Sequence, residues 1–321
     1  MLDADVEVDR RSFTVRAKLT VADGERVALF GPSGAGKTTV LEAIAGLVPL
    51  RSGSVSLRGR VITAEPPWRR RVGLLRQDPG LFPHLPVRHN LLYGRGASAG
   101  ELPALASVLG IADLLTAMPA RLSGGQAHRV ALGRLLLAHC DALLLDEPYS
   151  GLDAALRRTL TGLVVALVRE RKVPAVLVAH ELTDAQAFAD RLLVLDAGSV
   201  LQAGTPSAVV RRPVSRRVAE LVGYLGFVPS GDGVAGVHPE RVVPGAFPGR
   251  GLVLDGTVAA LRPSGAGWEA DLRVGDVMIT CKLPEPPSGD TAEVTVLDPP
   301  IFLHNGQRLD LSARFPATMG D

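Results

Sequence analysis

One glycine-rich stretch, Gly31-Pro32-Ser33-Gly34-Ala35-Gly36-Lys37-Thr38-Thr39, constrains this chain more than any other. It fits the phosphate-loop pattern G-x-x-x-x-G-K-[ST]. The apolar run Arg26-Val27-Ala28-Leu29-Phe30 predicts a strand entering the loop, and Val40-Leu41-Glu42-Ala43-Ile44-Ala45 predicts a helix leaving it. The motif requires that strand–loop–helix setting. Glycines 31, 34 and 36 have no Cβ, so the backbone can curl closely around a phosphate. Its N–H groups then converge on the anion at a helix N-terminus. Lys37 is placed to reach the outer phosphates and the Thr38 hydroxyl to ligate Mg²⁺. Lysine is otherwise scarce, occurring only at Lys18, Lys172 and Lys282.

The bulk properties narrow the class. A chain of 321 residues suits about two domains. With 46% hydrophobic and 21% charged residues it is globular rather than disordered. Thirty-five basic residues stand against 33 acidic ones, a net charge of +2 that gives no reason to expect nucleic acid as a partner. The two cysteines, Cys140 and Cys281, form no CxxC pair and indicate neither a disulfide framework nor a zinc site. A reduced, cytosolic setting is expected. The first residues lack the basic-then-apolar pattern of a secretory signal. No apolar run approaches the ~20 residues that span a bilayer. Any membrane role therefore calls for a separate membrane subunit.

Residues 2–30 alternate apolar and polar side chains and predict antiparallel strands leading to the phosphate-loop strand. A hairpin arm is expected at Ser52–Gly59 and a short strand at Arg71–Leu75, followed by Gln77. The basic run Trp68-Arg69-Arg70-Arg71 reads as a solvated approach to that strand. Residues 86–139 read as mainly helical, with helices over 102–115 and 124–139. Strands at 142–145, 175–178 and 192–195 then alternate with helices over 154–171 and 182–188. This alternation predicts an α/β core with a parallel sheet. Beyond a turn-rich linker at Pro229–Gly233, short alternating runs between Gly and Pro turns predict a second, all-β domain, a small barrel.

Three further elements carry chemistry. Leu122-Ser123-Gly124-Gly125-Gln126 opens a helix and offers bare N–H groups, a hydroxyl and a positive dipole end to an anion. An ordinary Ser N-cap accounts for the same residues equally well. Leu143-Leu144-Leu145-Asp146-Glu147-Pro148 ends a buried strand in two carboxylates. Magnesium-dependent phosphoryl transfer needs one acid for the metal and one for the attacking water, here Asp146 and Glu147 respectively. His180 closes the next strand, where it can donate to a terminal phosphate and hold water in place. His84, His89, His128, His139, His238 and His304 have no metal-cluster spacing and read as structural.

In this order, the phosphate loop at 31–39, Gln77, Leu122–Gln126, Leu143–Pro148, Ser150-Gly151-Leu152-Asp153 and His180 resemble the nucleotide-binding subunit of an ATP-binding cassette (ABC) transporter over roughly residues 1–222. The resemblance implies an ABC ATPase core of the P-loop NTPase class, with an antiparallel β subdomain and a helical subdomain over about 84–139. It places the ATP-binding domain at 1–223 and the β-barrel accessory domain at 224–321. It also implies a homodimer that sandwiches two ATPs with Mg²⁺. Each ATP would lie on one copy's residues 31–39 and under Ser123, Gly124, Gly125 and Gln126 of the other. Asp153 would lie at the seam. Gln77 would contact Mg²⁺ or the lytic water and couple the site to a membrane partner, and Phe13 matches the aromatic that stacks on adenine. Two departures are small: Gly151 stands where Ala is usual, and Ala127 where the family has a polar or charged residue.

Importer ATPases are separate chains, so an importer is favoured. It would lie peripherally on the cytoplasmic face of the membrane, bound to an integral permease and served indirectly by a solute-binding protein. Residues 76–94 are similar to the corresponding segment of molybdate importer ATPases, with Leu81, Phe82 and the nearby helix forming a groove for a coupling helix. Residues 232–321 resemble the small barrel appended to importer ATPases, although Pro248-Gly249-Arg250-Gly251 stands roughly where molybdate-binding barrels have Ser/Thr-Ala-Arg-Asn. Molybdate is therefore one expected solute, with iron(III), sulfate and polyamine as alternatives. A soluble, non-transport ABC ATPase is the other class to weigh.

Overall fold

A computed structural model describes residues 1–308 except 11, 12, 232, 248, 266, 288 and 304. His304 and Pro248, singled out above, lie outside the described residues, as does the stretch after 308. The chain divides into two compact units, Met1–Pro206 and Ser207–Asp321.

The first unit opens with β1 (Leu2–Asp9) and β2 (Thr14–Val21), an antiparallel pair whose side chains alternate between core and solvent. Next come β3 (Arg26–Phe30), buried throughout, and α1 (Lys37–Ala45). The hairpin β4 (Ser52–Leu57) and β5 (Arg60–Val61) extends the antiparallel edge, and β6 (Val72–Leu75) follows. The helical stretch holds α2 (Val87–Leu91), α3 (Leu102–Val108) and α4 (Gly124–Leu137). Then β7 (Ala142–Asp146), α5 (Ala154–Arg171), β8 (Ala175–Ala179), α6 (Leu182–Phe188), β9 (Arg191–Asp196) and β10 (Ser199–Gly204) alternate as expected.

One sheet of ten strands runs in the order β5-β4-β1-β2-β10-β9-β3-β8-β7-β6. From β9 to β6 the strands are parallel. Strands β3, β7 and β8 are buried at every position, as parallel strands covered on both faces must be. Val40, Leu41 and Ile44 of α1 pack on Val27, Leu29, Leu144 and Val176 in one core. Each such fully buried aliphatic side chain contributes about 1.5–3 kcal/mol. The register aligns strand ends: Phe30 pairs with Ala179, Asp146 with Val178 and Leu75 with Leu145. Everything that leaves the C-terminal ends of these strands therefore shares one edge of the sheet.

Two expectations change. The helix expected over 102–115 stops at Val108, because Gly110 takes a left-handed φ of 61°. The run at 68–71 is solvated only in part. Trp68 is 81% exposed, whereas Arg70 is 5% exposed and sits under the end of α1. Its guanidinium donates to the carbonyls of Ala43 (3.1 Å), Ile44 (2.9 Å), Thr63 (2.6 Å) and Glu65 (2.8 Å). It caps the helix that follows the phosphate loop.

The second unit is all-β after two short helices, α7 (Pro206–Arg211) and α8 (Arg216–Leu221). Strands β11 (Gly226–Ser230), β12 (Gly233–Val237) and β18 (Ile301–Leu303) make a three-stranded sheet. A five-stranded antiparallel sheet has the order β13 (Val242–Pro244), β17 (Thr291–Leu297), β14 (Gly251–Ser264), β15 (Gly267–Val274), β16 (Val277–Leu283). Val228, Val237, Leu272, Ile279, Val294 and Val296 fill its core. The Tyr224 hydroxyl donates to the Val210 carbonyl (2.9 Å), and its ring meets that of His238 edge to face at 5.0 Å.

Candidate active site

The loop between β3 and α1 is shaped by its glycines. Gly31, at φ 151°, runs so close to β9 that a Cβ would lie 1.9 Å from the Leu195 carbonyl oxygen. Gly36, at φ 100°, leaves 2.7 Å between an added Cβ and Val15 Cγ2. Both backbone conformation and space exclude other residues here. The turn between β9 and β10 closes on the same loop, with the Gly198 N–H donating to the Ala35 carbonyl (3.1 Å). Phe13, half-buried against the core, lies over Gly198 and so stands beside this turn. Pro32, Ser33 and Gly34 form the outer bend, and an added Cβ at Gly34 would meet nothing within 4 Å. That side of the loop is open to a ligand.

Lys37 folds back into the cradle. Its Nζ donates to the carbonyls of Gly31 (2.7 Å) and Pro32 (2.8 Å). Burial pushes its pKa down, against the opposing pull of Glu147 and Asp146. Thr38 donates its hydroxyl to Asp146 Oδ1 at 3.2 Å, bridging the loop to the end of β7. Asp146 is 2% exposed, and burial raises its pKa despite that bond. Thr39 points elsewhere: its hydroxyl accepts from Arg10 Nε (2.9 Å).

Glu147 follows Asp146 in the left-handed region at φ 49°, a conformation that costs a non-glycine residue about 1–3 kcal/mol. Its N–H donates to the Val178 carbonyl (3.2 Å), which bends the chain out of the sheet edge. Glu147 and His180 line one cleft of about 280 Å³, together with Arg157, Glu181 and Asp184. His180 is exposed, immediately past β8. Gln77 is also exposed, two residues past β6, on the same sheet edge as Asp146.

Two predicted residues are structural caps within the chain. Ser123 closes a capping box on α4: its Oγ accepts from the Gln126 N–H (3.3 Å), and Gln126 Oε1 accepts from the Ser123 N–H (2.8 Å). Asp153 caps α5, accepting from the N–H groups of Ala155 (3.0 Å) and Leu156 (2.9 Å). The Leu156 bond leads in holding its pKa below the usual carboxylate range. Gly124 and Gly125 are different. A Cβ on either would meet nothing within 4 Å, so no packing among the described residues asks for glycine there.

Three residues near the site have partners that the sequence does not reveal, His128 among them, which was expected only to be structural. Buried Asn90 stitches the segment after Gln77, accepting from the Phe82 N–H (2.8 Å) and donating to the Leu85 carbonyl (2.7 Å). Arg134 and His128 reach from α4 to the loops after Gln77 and Glu147. All three act largely through backbone carbonyls and amides, which leave no mark in residue spacing.

The donor set suits a magnesium nucleotide. A hydroxyl and a carboxylate supply hard oxygen ligands, and Mg²⁺ takes only one or two protein ligands beside phosphate oxygens. The loop supplies a glycine cradle with one ammonium for phosphate charge.

Known proteins agree. The family model described as ABC transporter matches residues 15–150. The sn-glycerol-3-phosphate import ATP-binding protein UgpC 3 of Rhizobium johnstonii is 36% identical over 305 residues, 87% of this chain and 88% of that protein. The spermidine/putrescine import ATP-binding protein PotA of Pseudomonas fluorescens is 37% identical over 238 residues, 72% of this chain and 66% of that protein. Among solved structures, a dimeric ATP-binding cassette in a post-hydrolysis state, bound to ADP and Pi, is similar with TM-score 0.55 and 27% identity over 64% of this chain and 99% of its own. A bacterial Atm1-family ABC exporter with ATP bound gives TM-score 0.60 and 29% identity over 68% of this chain and 41% of its own. A likeness of this strength across most of the chain means that it belongs to the ABC family as the ATP-binding subunit of an importer, an ATPase that uses Mg²⁺.

Proposed function

We propose that residues 1–223, with the helical subdomain over about 84–139, form a motor that closes as a homodimer on two ATPs and drives a separate permease. In this reading residues 224–321 are an accessory or regulatory domain. The subunit lies on the cytoplasmic face of the membrane, and a solute-binding protein feeds the permease. Among the described residues no helix is long and apolar enough to cross a bilayer.

In this reading each residue of the site has a role. The N–H groups of residues 31–39 and the Lys37 ammonium bind the phosphates. Thr38 and Asp146 hold Mg²⁺, with Gln77 completing that side of the site. Bound Mg²⁺ neutralises charge on the phosphate oxygens. Glu147 orients the attacking water and accepts its proton. His180, which lines the same cleft, donates to the terminal phosphate and keeps that water in line. Phe13 stacks on the base from beside the Gly198 turn. Ser123 to Gln126 of the second copy cap the phosphate, and Asp153 lies at the seam. The helix start at Gly124 and Gly125 supports this, since a close approach from outside the chain explains two glycines that no contact among the described residues explains.

The observation that carries the reading is Glu147, held at a strained φ of 49° next to buried Asp146, which Thr38 bonds, and sharing a cleft with His180. Glu147→Gln is expected to bind ATP and dimerise while losing about 10²–10⁴-fold in turnover. Turnover at the wild-type rate removes Glu147 from the role of base.

For the solute, the similarity at 76–94 points to molybdate, whereas relatives over most of the chain are named for glycerol-3-phosphate and for spermidine and putrescine. Charged organic solutes therefore stand ahead of molybdate, iron(III) and sulfate. Polyamine is common to the sequence-based alternatives and to a relative's name. Solute-stimulated ATP hydrolysis by the co-purified transporter, compared across these compounds, tests the order. Stimulation by molybdate alone reverses it.

A further inference from the structure

Helix α4 carries Ser123–Gln126 at its start and sends two side chains to other loops of the first unit. His128 is buried, and its Nε2 lies 3.1 Å from the carbonyl oxygen of Pro148, the residue after Glu147. A carbonyl only accepts, so Nε2 carries the hydrogen. Burial lowers the pKa of this ring, in keeping with a neutral donor. Six residues further along α4, Arg134 donates from Nη1 to the Gly80 carbonyl and from Nη2 to the Pro79 carbonyl, both at 3.0 Å. Those carbonyls belong to the segment that leaves Gln77. The guanidinium also lies 5.4 Å from the centroid of the Phe82 ring. Among the described residues no carboxylate comes within ion-pair range of Arg134. Its two-pronged donor is spent on adjacent carbonyls, a match that depends on the planar fork rather than on charge alone.

The geometry points to Arg134 as a positioning residue for hydrolysis: it locks the Gln77 segment to the helix that starts with Ser123–Gln126, while His128 locks the Glu147 segment to the same helix. One rigid element then ties together both loops that address water and metal. A packed helix moves as a body, so a shift at its N-terminus reaches both loops at once. Precision matters here because a misplacement of about 1 Å away from the chemistry can cost about 10²-fold in rate. This proposal rests on the roles proposed above for Gln77 and Glu147.

The test uses the full chain. Steady-state ATP hydrolysis and amide hydrogen exchange are measured for wild type, Arg134→Ala, Arg134→Lys and Gln77→Ala. Arg134→Ala is expected to lower kcat by at least about tenfold while KM for ATP stays within about twofold, because residues 31–39 still bind the nucleotide. Exchange should quicken in residues 77–82 and stay unchanged in 31–39. Arg134→Lys should recover part of kcat, since an ammonium serves one carbonyl at a time. A bracket that matters only for stability lowers the melting temperature without splitting kcat from KM, and that result overturns the proposal. So does wild-type kcat in Arg134→Ala while Gln77→Ala is slow. Wild-type kcat in Gln77→Ala instead overturns the underlying reading of Gln77. Should Arg134→Ala yield no folded protein, Arg134→Lys decides: reduced kcat at unchanged KM supports the proposal, and wild-type kcat overturns it.

Discussion

The Thr38 hydroxyl donates to the buried Asp146 carboxylate at 3.2 Å, so the phosphate loop and the end of β7 are joined within the chain. The joint carries a cost. Burial is the leading cause of a raised Asp146 pKa, reinforced by Glu147 and Glu42 and opposed by Thr38 and Lys37. A carboxyl with a raised folded pKa binds more protons folded than unfolded. Its ionisation therefore destabilises the fold as pH rises through and above the ordinary carboxylate range. Asp146→Asn keeps the shape and the acceptor oxygen without the charge. The nucleotide-free variant is expected to melt higher than wild type at pH 7, by about 2–4 °C for each kcal/mol recovered. The gain should shrink on acidification toward the ordinary carboxylate pKa, and under the metal role proposed for Asp146 hydrolysis should fall with the loss of an anionic ligand. Thermal melts from pH 4 to 8, with parallel rate measurements, check both halves. A lower melting temperature at pH 7 contradicts the argument.

Lys37 is the second group held in readiness. Its ammonium donates to the Gly31 and Pro32 carbonyls of its own loop. Phosphate oxygens would replace those neutral acceptors with charged ones, and hydrogen bonds involving charged groups contribute about 1.5–3 kcal/mol. Lys37→Ala should therefore weaken ATP binding by about 10- to 150-fold. Equilibrium titration with a fluorescent ATP analogue reads this directly. Binding within twofold of wild type would remove Lys37 from the phosphate site.

The parts of this molecule legible in the sequence are those governed by periodicity and by local turn chemistry. Helix α5 runs over Ala154–Arg171, the span expected from its apolar spacing, with Asp153 as its cap. Strands β7 and β8 appear where uninterrupted apolar runs predict them. The phosphate loop is legible because glycine at positive φ is a backbone demand written as a residue type. Left-handed Glu147 is not, since nothing in its side chain signals the strain. Arg70 shows the other limit. In sequence it sits in a basic run beside Trp68, and a charge run ordinarily faces solvent. Only the tertiary structure brings it under the end of α1, where its partners are four backbone carbonyls.

Arg70 gives a stability prediction of its own. Removing the guanidinium takes a donor from four carbonyls; Ala43 keeps the Gly46 N–H (3.1 Å), and a buried carbonyl left without a donor, as at Ile44, costs about 1–3 kcal/mol. Arg70→Met, which keeps much of the side-chain volume, is expected to destabilise the first unit by about 2–4 kcal/mol. Chemical denaturation followed by a probe in that unit measures the change. Loss of less than about 0.5 kcal/mol, the range of ordinary surface substitutions, contradicts the role assigned to it.

Gly125 separates the needs of one chain from the needs of two. It lies in the first turn of α4, and an added Cβ there meets nothing within 4 Å. Taken alone, the chain gains from alanine, because glycine in a helix costs up to about 1 kcal/mol relative to alanine. Gly125→Ala is therefore expected to leave the isolated chain equally or more stable. If the nucleotide of a second copy approaches this turn, the same methyl group stands in its way. ATP-dependent dimerisation, followed by light scattering in the Glu147→Gln background, should weaken by at least about tenfold, equivalent to ~1.4 kcal/mol. ATP binding to the monomer should hold at the wild-type value, since residues 31–39 are untouched. A variant that dimerises normally on ATP places the second copy's contact elsewhere than this helix start. A variant that loses stability instead contradicts the open space found around Gly125 among the described residues.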